Sequence, residues 1–333
     1  MSARIVIPPT ITPAAFAQRA DGPVERLIGR SMGTGWSVRY VPAGGLSSAH
    51  LQQGVELILS AIVDQMSTWE AQSGISRFNR SSPGEWQALK PEFLDVLDAA
   101  LRIADRSGGA FDPTVGDLVD LWGFGPSGGH AGLPDPGAVD ALRTEAGWRQ
   151  IELDKAAARA RRLAPSASLD FSGIAKGYAV DRIADWLAGQ GILNFLVEIG
   201  GELRGGGLKP DGQPWWVDAE IPPGCAVQPL RFALHQVAVA TSGDYRRAME
   251  RQGKRWSHTL DPRTGRPLDN GVASVTVLHS SAMLADAWAT AIGVLGQDEG
   301  LDLARREKIA AQIIRRGPEG AEESLSPALR AML

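Results

Sequence analysis

The sequence predicts an α+β fold with a mainly antiparallel sheet and flanking helices, not a doubly wound parallel one. Apolar residues recur at helical spacing in several stretches, each closed by glycine or a polar stop. Short alternating runs are joined by turns too brief to hold a crossover helix. Strands and helices alternate irregularly, whereas a parallel sheet needs a helix after nearly every strand.

Residues 1–22, broken by Pro8, Pro9 and Pro13, read as an extended tail, and residues 23–333 as one two-lobed domain with seams near 110–165. Val24 to Arg30 and Trp36 to Val41 form a hairpin around Met32-Gly33-Thr34-Gly35. Leu51 to Met66 is a helix, with Val55, Ile58, Leu59, Ile62 and Val63 on its apolar stripe. Pro91 to Ser107 is a second helix and Asp135 to Trp148 a weaker third, after a Gly/Pro-rich loop at 123–137. Ser168 to Phe171 reads as a short strand, and Gly173 to Gln190 as a helix capped by Ser172 and stopped at Gly191. Phe195 to Ile199, Trp215 to Ile221, Leu230 to Ala240 and Val272 to Leu278 are strand-like. Ser280 to Leu295 is a strongly apolar helix closed by Gly296, and Ile309 to Arg315 is a late strand.

Bulk composition removes several function classes. Of 333 residues, 34 are Lys or Arg and 38 Asp or Glu, for a formal charge of −4, so the basic footprint of a nucleic-acid binder is missing. The single cysteine, Cys225, excludes an internal disulfide and a thiolate metal cluster. No apolar run reaches the roughly 18 residues of a membrane span. The N-terminus lacks an unbroken apolar core and a lipid-attachment cysteine. Gly125-Pro126-Ser127-Gly128-Gly129 matches a nucleophile-elbow pattern but lies between loops, not between a strand and a helix. Neither a dinucleotide fingerprint, a Walker A sequence nor a paired-histidine zinc spacing occurs.

Four segments carry candidate chemistry. In LDFSGIAKGYAVDRIADWL, Asp170 ends a strand and Lys176 lies in the first turn of a helix, where free N–H groups and the dipole suit an anion. A capped amphipathic helix with a solvated lysine fits the same residues. In SAMLADAWATAIGVLG, Asp286 and Thr290 lie one turn apart on an otherwise apolar helix. A carboxylate there is costly unless paired or bound to a cation, and oxygen-only ligands suit a hard ion. An exposed Asp beside a core-packed Thr is the alternative. Ala110, Phe111, Leu121, Trp122 and Phe124, with Trp69, supply aromatic walls that serve a flat ring or a core corner equally. His258 closes an alternating run before the turn Asp261-Pro262-Arg263-Thr264-Gly265, and an imidazole in such a place can act as a general base.

Together, MGTGWSVRY (32–40), MSTWEAQSGISRFN (66–79), GAFDPTVGDLVDLWGFG (109–125), LDFSGIAKGYAVD (169–181), FLVEIGGELRGGG (195–207), ATSGDYRR (240–247), HTLDPRTGRPL (258–268) and SAMLADAWATAIGVLG (281–296) resemble, in this order, the FAD:protein FMN transferase (ApbE) family. The resemblance implies a T-fold-like α+β architecture with an FAD cleft between two lobes. It implies Mg2+-dependent transfer of FMN from FAD to a Thr or Ser hydroxyl of an acceptor flavoprotein, releasing AMP. The alternatives on this scaffold are an FAD pyrophosphatase giving FMN and AMP, or a non-catalytic flavin-binding protein.

By matching position, Met32, Trp69, Ala110, Phe111, Asp112, Asp170, Lys176 and Leu260 are implied FAD contacts. Asp286, Thr290 and the Gly173 carbonyl are implied Mg2+ ligands, and His258 the base for the acceptor hydroxyl. Gly74 stands where the family usually has an acid, a departure that bears on loop order or acceptor docking, and Phe171 replaces a common leucine. Most relatives are exported lipoproteins. Without a credible signal or lipobox, the compartment stays open: a cytoplasmic variant is one reading and an unusually processed tail is another.

Overall fold

The computed structural model describes residues 3–18, 21–128, 132–245, 248–251 and 254–333. Its centre is an eight-stranded sheet in the order Gly320–Leu325, Ala310–Gly317, Val272–His279, Val237–Gly243, Glu202–Gly206, Phe195–Ile199, Thr34–Tyr40, Glu25–Ser31, with every neighbouring pair antiparallel. The expected α+β class with antiparallel pairing is what forms.

Strand alternation builds two cores from one sheet. Val197, Ala238 and Ala240 face the helices Ser48–Met66, Ala175–Gly189 and Ala282–Arg306 and share their core. Leu196 and Val239 face the opposite way, onto Trp215, Phe232, Val6 and Leu329. That second layer is a small sheet, Arg4–Val6, Leu230–Leu234 and Trp215–Asp218, with the short helix Pro327–Arg330 beside it. A satellite cluster of Leu118, Trp122, Val139 and Leu260 lies apart from both.

Several expectations change in the structure. The segment 1–22 is not a plain extended tail, because Arg4–Val6 pairs in parallel with Leu230–Leu234 and the Ile7 N–H donates to the Met332 carbonyl at 2.9 Å. Leu230 to Ala240 divides into two strands belonging to different sheets, at Gln236 with φ 55°. Ser168 to Phe171 makes only an isolated bridge, Val115 with Ser168, since side-chain and loop partners take its backbone groups. Ser172 caps no helix. Its N–H is bound by Asp170, and the helix begins at Ala175 without a side-chain cap. Gly296, expected as a stop, is a break inside Ala282–Arg306, with φ 82° and ψ −167°. The loop after Trp69 holds the helix Gly74–Arg80, capped by Ser73. A Cβ on Gly74 would lie 2.9 Å from the Gln65 carbonyl, which accounts for glycine there.

Two close contacts set the site's frame. Helices Ala175–Gly189 and Ala282–Arg306 cross at Gly177, where a Cβ would fall 2.2 Å from the Ala282 carbonyl oxygen. At one end of the sheet, the turns Met32–Gly33 and Gly200–Gly201 meet through the Gly200 N–H and the Gly35 carbonyl at 3.2 Å. Met32 has φ 51°, a left-handed conformation costing a non-glycine residue about 1 kcal/mol. Its partly buried side chain packs on the main core.

Gly177→Ala should therefore cost about 2 kcal/mol or more, because backbone and not a flexible side chain must yield. Urea unfolding reads this directly, and an unchanged midpoint would mean that the crossing is looser than described. A second expectation concerns His279, whose Nδ1 accepts from the Ser281 N–H at 3.0 Å. Burial holds its imidazole below the ordinary value, against the opposing pull of Asp181. The unfolded chain then takes the proton first. The stability this contributes is complete above about pH 6.5 and declines as the pH falls below it toward the depressed folded value. His279→Asn, which keeps an acceptor near the Nδ1 position, should flatten the fall in melting temperature over that window.

Candidate functional site

Three of the segments singled out in the sequence are stitched into one wall by backbone-directed bonds. Asn79 acts as a strand mimic: its Nδ2 donates to the Leu169 carbonyl at 2.9 Å and its Oδ1 accepts from the Leu169 N–H at 2.7 Å. The Gly116 N–H donates to Ser168 and the Asp170 N–H to Pro113, each at 2.8 Å. Asp112 is engaged by its own loop. Its Oδ1 accepts from the Thr114 N–H at 2.8 Å and hydroxyl at 2.6 Å, and its Oδ2 from the Trp148 N–H at 3.0 Å. Burial nonetheless pushes the Asp112 carboxyl above the usual carboxylate range, against these donors. Ala110 and Phe111 are buried beside it. Asp170 uses Oδ1 to hold the Ser172 N–H at 2.7 Å. Trp69 is 61% exposed, standing outside the core between two helices.

Next to this wall lies an oxygen cluster. Asp286 is 3% exposed within its apolar helix. Its Oδ2 accepts from the Gly177 N–H at 3.2 Å and lies 3.7 Å from Lys176 Nζ, so the anion at the start of Ala175–Gly189 is this carboxylate. Lys176 also donates to Glu202 Oε1 at 2.9 Å. Left unpaired, a buried carboxylate of this kind would cost several kcal/mol. The ammonium and the helix N–H offset that. One turn on, Thr290 Oγ1 donates to the Asp286 carbonyl and lies 3.2 Å from Ser242 Oγ. A Cβ on Gly173 would sit 3.0 Å from Thr290 Oγ1 and 3.5 Å from the Phe111 ring, so Gly173 and Thr290 lie side by side and glycine keeps that approach open. Among the described residues no three His, Cys, Asp or Glu side chains are grouped to hold a metal. The donor set here is one carboxylate, hydroxyls and backbone.

The turn after His258 is a rigid unit. Asp261 Oδ1 accepts from the Arg263 N–H at 2.9 Å, the Arg263 guanidinium forks onto both carboxylate oxygens, and the Gly265 N–H closes onto the Asp261 carbonyl at 2.8 Å. Leu260 is buried against Leu118 and Trp122, while Trp122 Nε1 donates to the Gly265 carbonyl at 2.8 Å. The partly buried His258 is thus carried on an anchored loop. Its neighbours Ser257 and Thr259 line a cavity of about 290 Å³ together with Thr290, Ser242 and Asn270. Ser127, in the nucleophile-elbow match, is exposed in a turn with its N–H on Asp120 Oδ1, and Gly129 lies outside the described residues.

Ser242, Glu202, Asn79 and Asn270 were not singled out in the sequence. Ser242 lies in a hydroxyl pair ending an apolar run, and Glu202 directly follows the Gly200-Gly201 turn of a hairpin. Both patterns mark inward polar groups. Arg246 and Arg247 of the block at 240–247 lie outside the described residues.

The ApbE family model matches residues 32–313. A Vibrio cholerae protein named FAD:protein FMN transferase is 39% identical over 318 residues, covering 94% of each chain. Its namesake in Salmonella typhimurium is 35% identical over 319 residues, 94% of this chain and 91% of the other. Among solved structures, the flavin transferase ApbE from Vibrio cholerae superposes with a TM-score of 0.85 at 37% identity, covering 93% of this chain and 100% of that one. The apo flavinyl transferase ApbE of Pseudomonas stutzeri gives 0.86 at 38% identity, covering 93% and 96%. A match of this extent, on a shared fold, makes the chain a member of the ApbE family.

Proposed function

We propose that the protein is an FAD:protein FMN transferase that moves FMN from FAD to a Thr or Ser hydroxyl of an acceptor protein and releases AMP. One observation carries this reading: the loop that bears His258 and the helix that bears Asp286 and Thr290, distant in sequence, open onto one cavity. The relatives' shared name supports the flavin chemistry.

In this reading Ala110, Phe111, Asp112, Asp170, Met32, Trp69 and Leu260 receive the dinucleotide. The wall of Ala110 and Phe111 is already folded, and the exposed indole of Trp69 can close over a flat ring. In this reading Lys176, held between Glu202 and Asp286, sets its positive charge against the pyrophosphate. His258 accepts the proton of the acceptor hydroxyl as its oxygen bonds to the FMN phosphorus. The bond from that phosphorus to the bridging oxygen breaks, and AMP leaves with the electron pair. The residues fit Mg2+: Asp286, Thr290 and the Gly173 carbonyl would hold it, with Ser242 alongside, as a hard-oxygen set. When bound, the ion supplies charge neutralisation at the pyrophosphate.

Incubation with FAD, Mg2+ and an acceptor bearing a target Thr should add the mass of FMN to the acceptor and release AMP. Free FMN formed without acceptor would identify a pyrophosphatase instead, and FAD binding without AMP release a carrier. Asp286→Ala should abolish metal-dependent turnover with the far-UV circular dichroism unchanged. Near-normal rates in Mg2+ would remove Asp286 from the ligand set. His258→Ala should lower kcat about a hundredfold or more while FAD affinity stays within a fewfold. Equal losses in both would make His258 a binding residue.

A further inference from the structure

Asp181 is a buried carboxylate, 8% exposed, that the chemistry above does not use. It belongs to the helix Ala175–Gly189, yet nearly all its bonds go to the start of another. Oδ1 accepts from the Ala282 N–H at 3.0 Å and Oδ2 from the Met283 N–H at 3.0 Å and the Ser281 hydroxyl at 2.7 Å. The first N–H groups of any helix lack partners of their own, and here a side chain about a hundred residues away in sequence satisfies two of them. Ser281 Oγ in turn accepts from the Leu284 N–H at 3.2 Å, which completes the cap. Arg204 holds the carboxylate from the sheet side, with Nη1 at 2.9 Å from Oδ1.

The spacing gives this contact a purpose beyond capping. On one helix Asp181 follows Gly177 by a turn, and on the other Asp286 follows Ala282 by a turn. Gly177 touches Asp286, and Asp181 touches Ala282. These are two rungs between crossing helices that run in opposite senses. The missing Cβ of Gly177 brings the backbones together, so the crossing has little room to slide. Any shift of the helix start relative to Asp181 must be passed to Asp286 one turn later.

We infer that Asp181, held by Arg204, is a positioning residue that fixes the depth at which Asp286 presents its carboxylate to the divalent ion. The inference rests on Asp286 being a ligand of that ion. The bonds of Asp181 go to the helix start and to Arg204, so it acts through the helix it holds.

The test is Mn2+ alone, titrated into the full chain and followed by loss of the free-ion electron paramagnetic resonance signal. Melting curves are recorded on the same samples. Asp181→Ala should raise the Mn2+ dissociation constant about tenfold to a hundredfold, the range for residues that orient a metal ligand. Asp181→Asn retains one carbonyl acceptor and should fall between the two; it carries the test if the alanine variant does not fold. A folded variant that melts earlier but binds Mn2+ like the unchanged chain would show a cap and nothing more, overturning the inference. Asp286→Ala separates the two readings. If it binds Mn2+ normally, the metal assignment itself fails. If it loses binding while the Asp181 variants do not, only the positioning role fails.

Discussion

The site depends on the close crossing of two helices over a glycine. Gly177 lets helix Ala175–Gly189 approach Ala282–Arg306 until its N–H can reach a carboxylate that the second helix buries. That donor and the Lys176 ammonium offset part of the desolvation cost of burying Asp286, which no apolar neighbour could do. Geometry and electrostatics are one constraint here. The approach makes the charge tolerable, and the charge holds the approach.

Around this crossing the antiparallel sheet gathers parts that are remote in the chain. Because its neighbours run in opposite directions, the ends of Val237–Gly243 and the start of Val272–His279 lie side by side. Ser242 and Asn270 therefore reach the same cavity as Thr290. Asn270 also donates to the carbonyls of Gly293 and Val294, just before the helix breaks at Gly296. The helical segment with Asp286 and Thr290 is gripped by an external side chain at each end, Asp181 at its start and Asn270 at its break.

Much of this was legible in the amino-acid order. Helical spacing exposed Asp286 and Thr290 as neighbours on an apolar rod, because a lone acid among alanines violates the burial pattern. The five-residue turn after His258 was readable because Asp, Pro and Gly at those places leave few alternatives. The division of Leu230 to Ala240 was not legible, since apolar residues continue on both sides of His235 and Gln236 and only tertiary pairing assigns them to separate sheets. Nor were Asp181 and Glu202, ordinary charges on a helix and a hairpin until their partners arrive from elsewhere in the chain. The first strand hid behind the prolines that follow it, because what orders Arg4–Val6 is an open sheet edge more than two hundred residues later.

The ring of donors around Asp112 has a thermodynamic consequence. Thr114 and Trp148 already engage its carboxylate, so the bend that carries the buried Ala110 and Phe111 is set by the loop's own bonds. In the function proposed above, a planar guest docking against this loop would forfeit little loop freedom, and more of its contact free energy would survive as affinity. The carboxylate thus acts as an internal brace for its loop, and the gain to such a guest would be entropic.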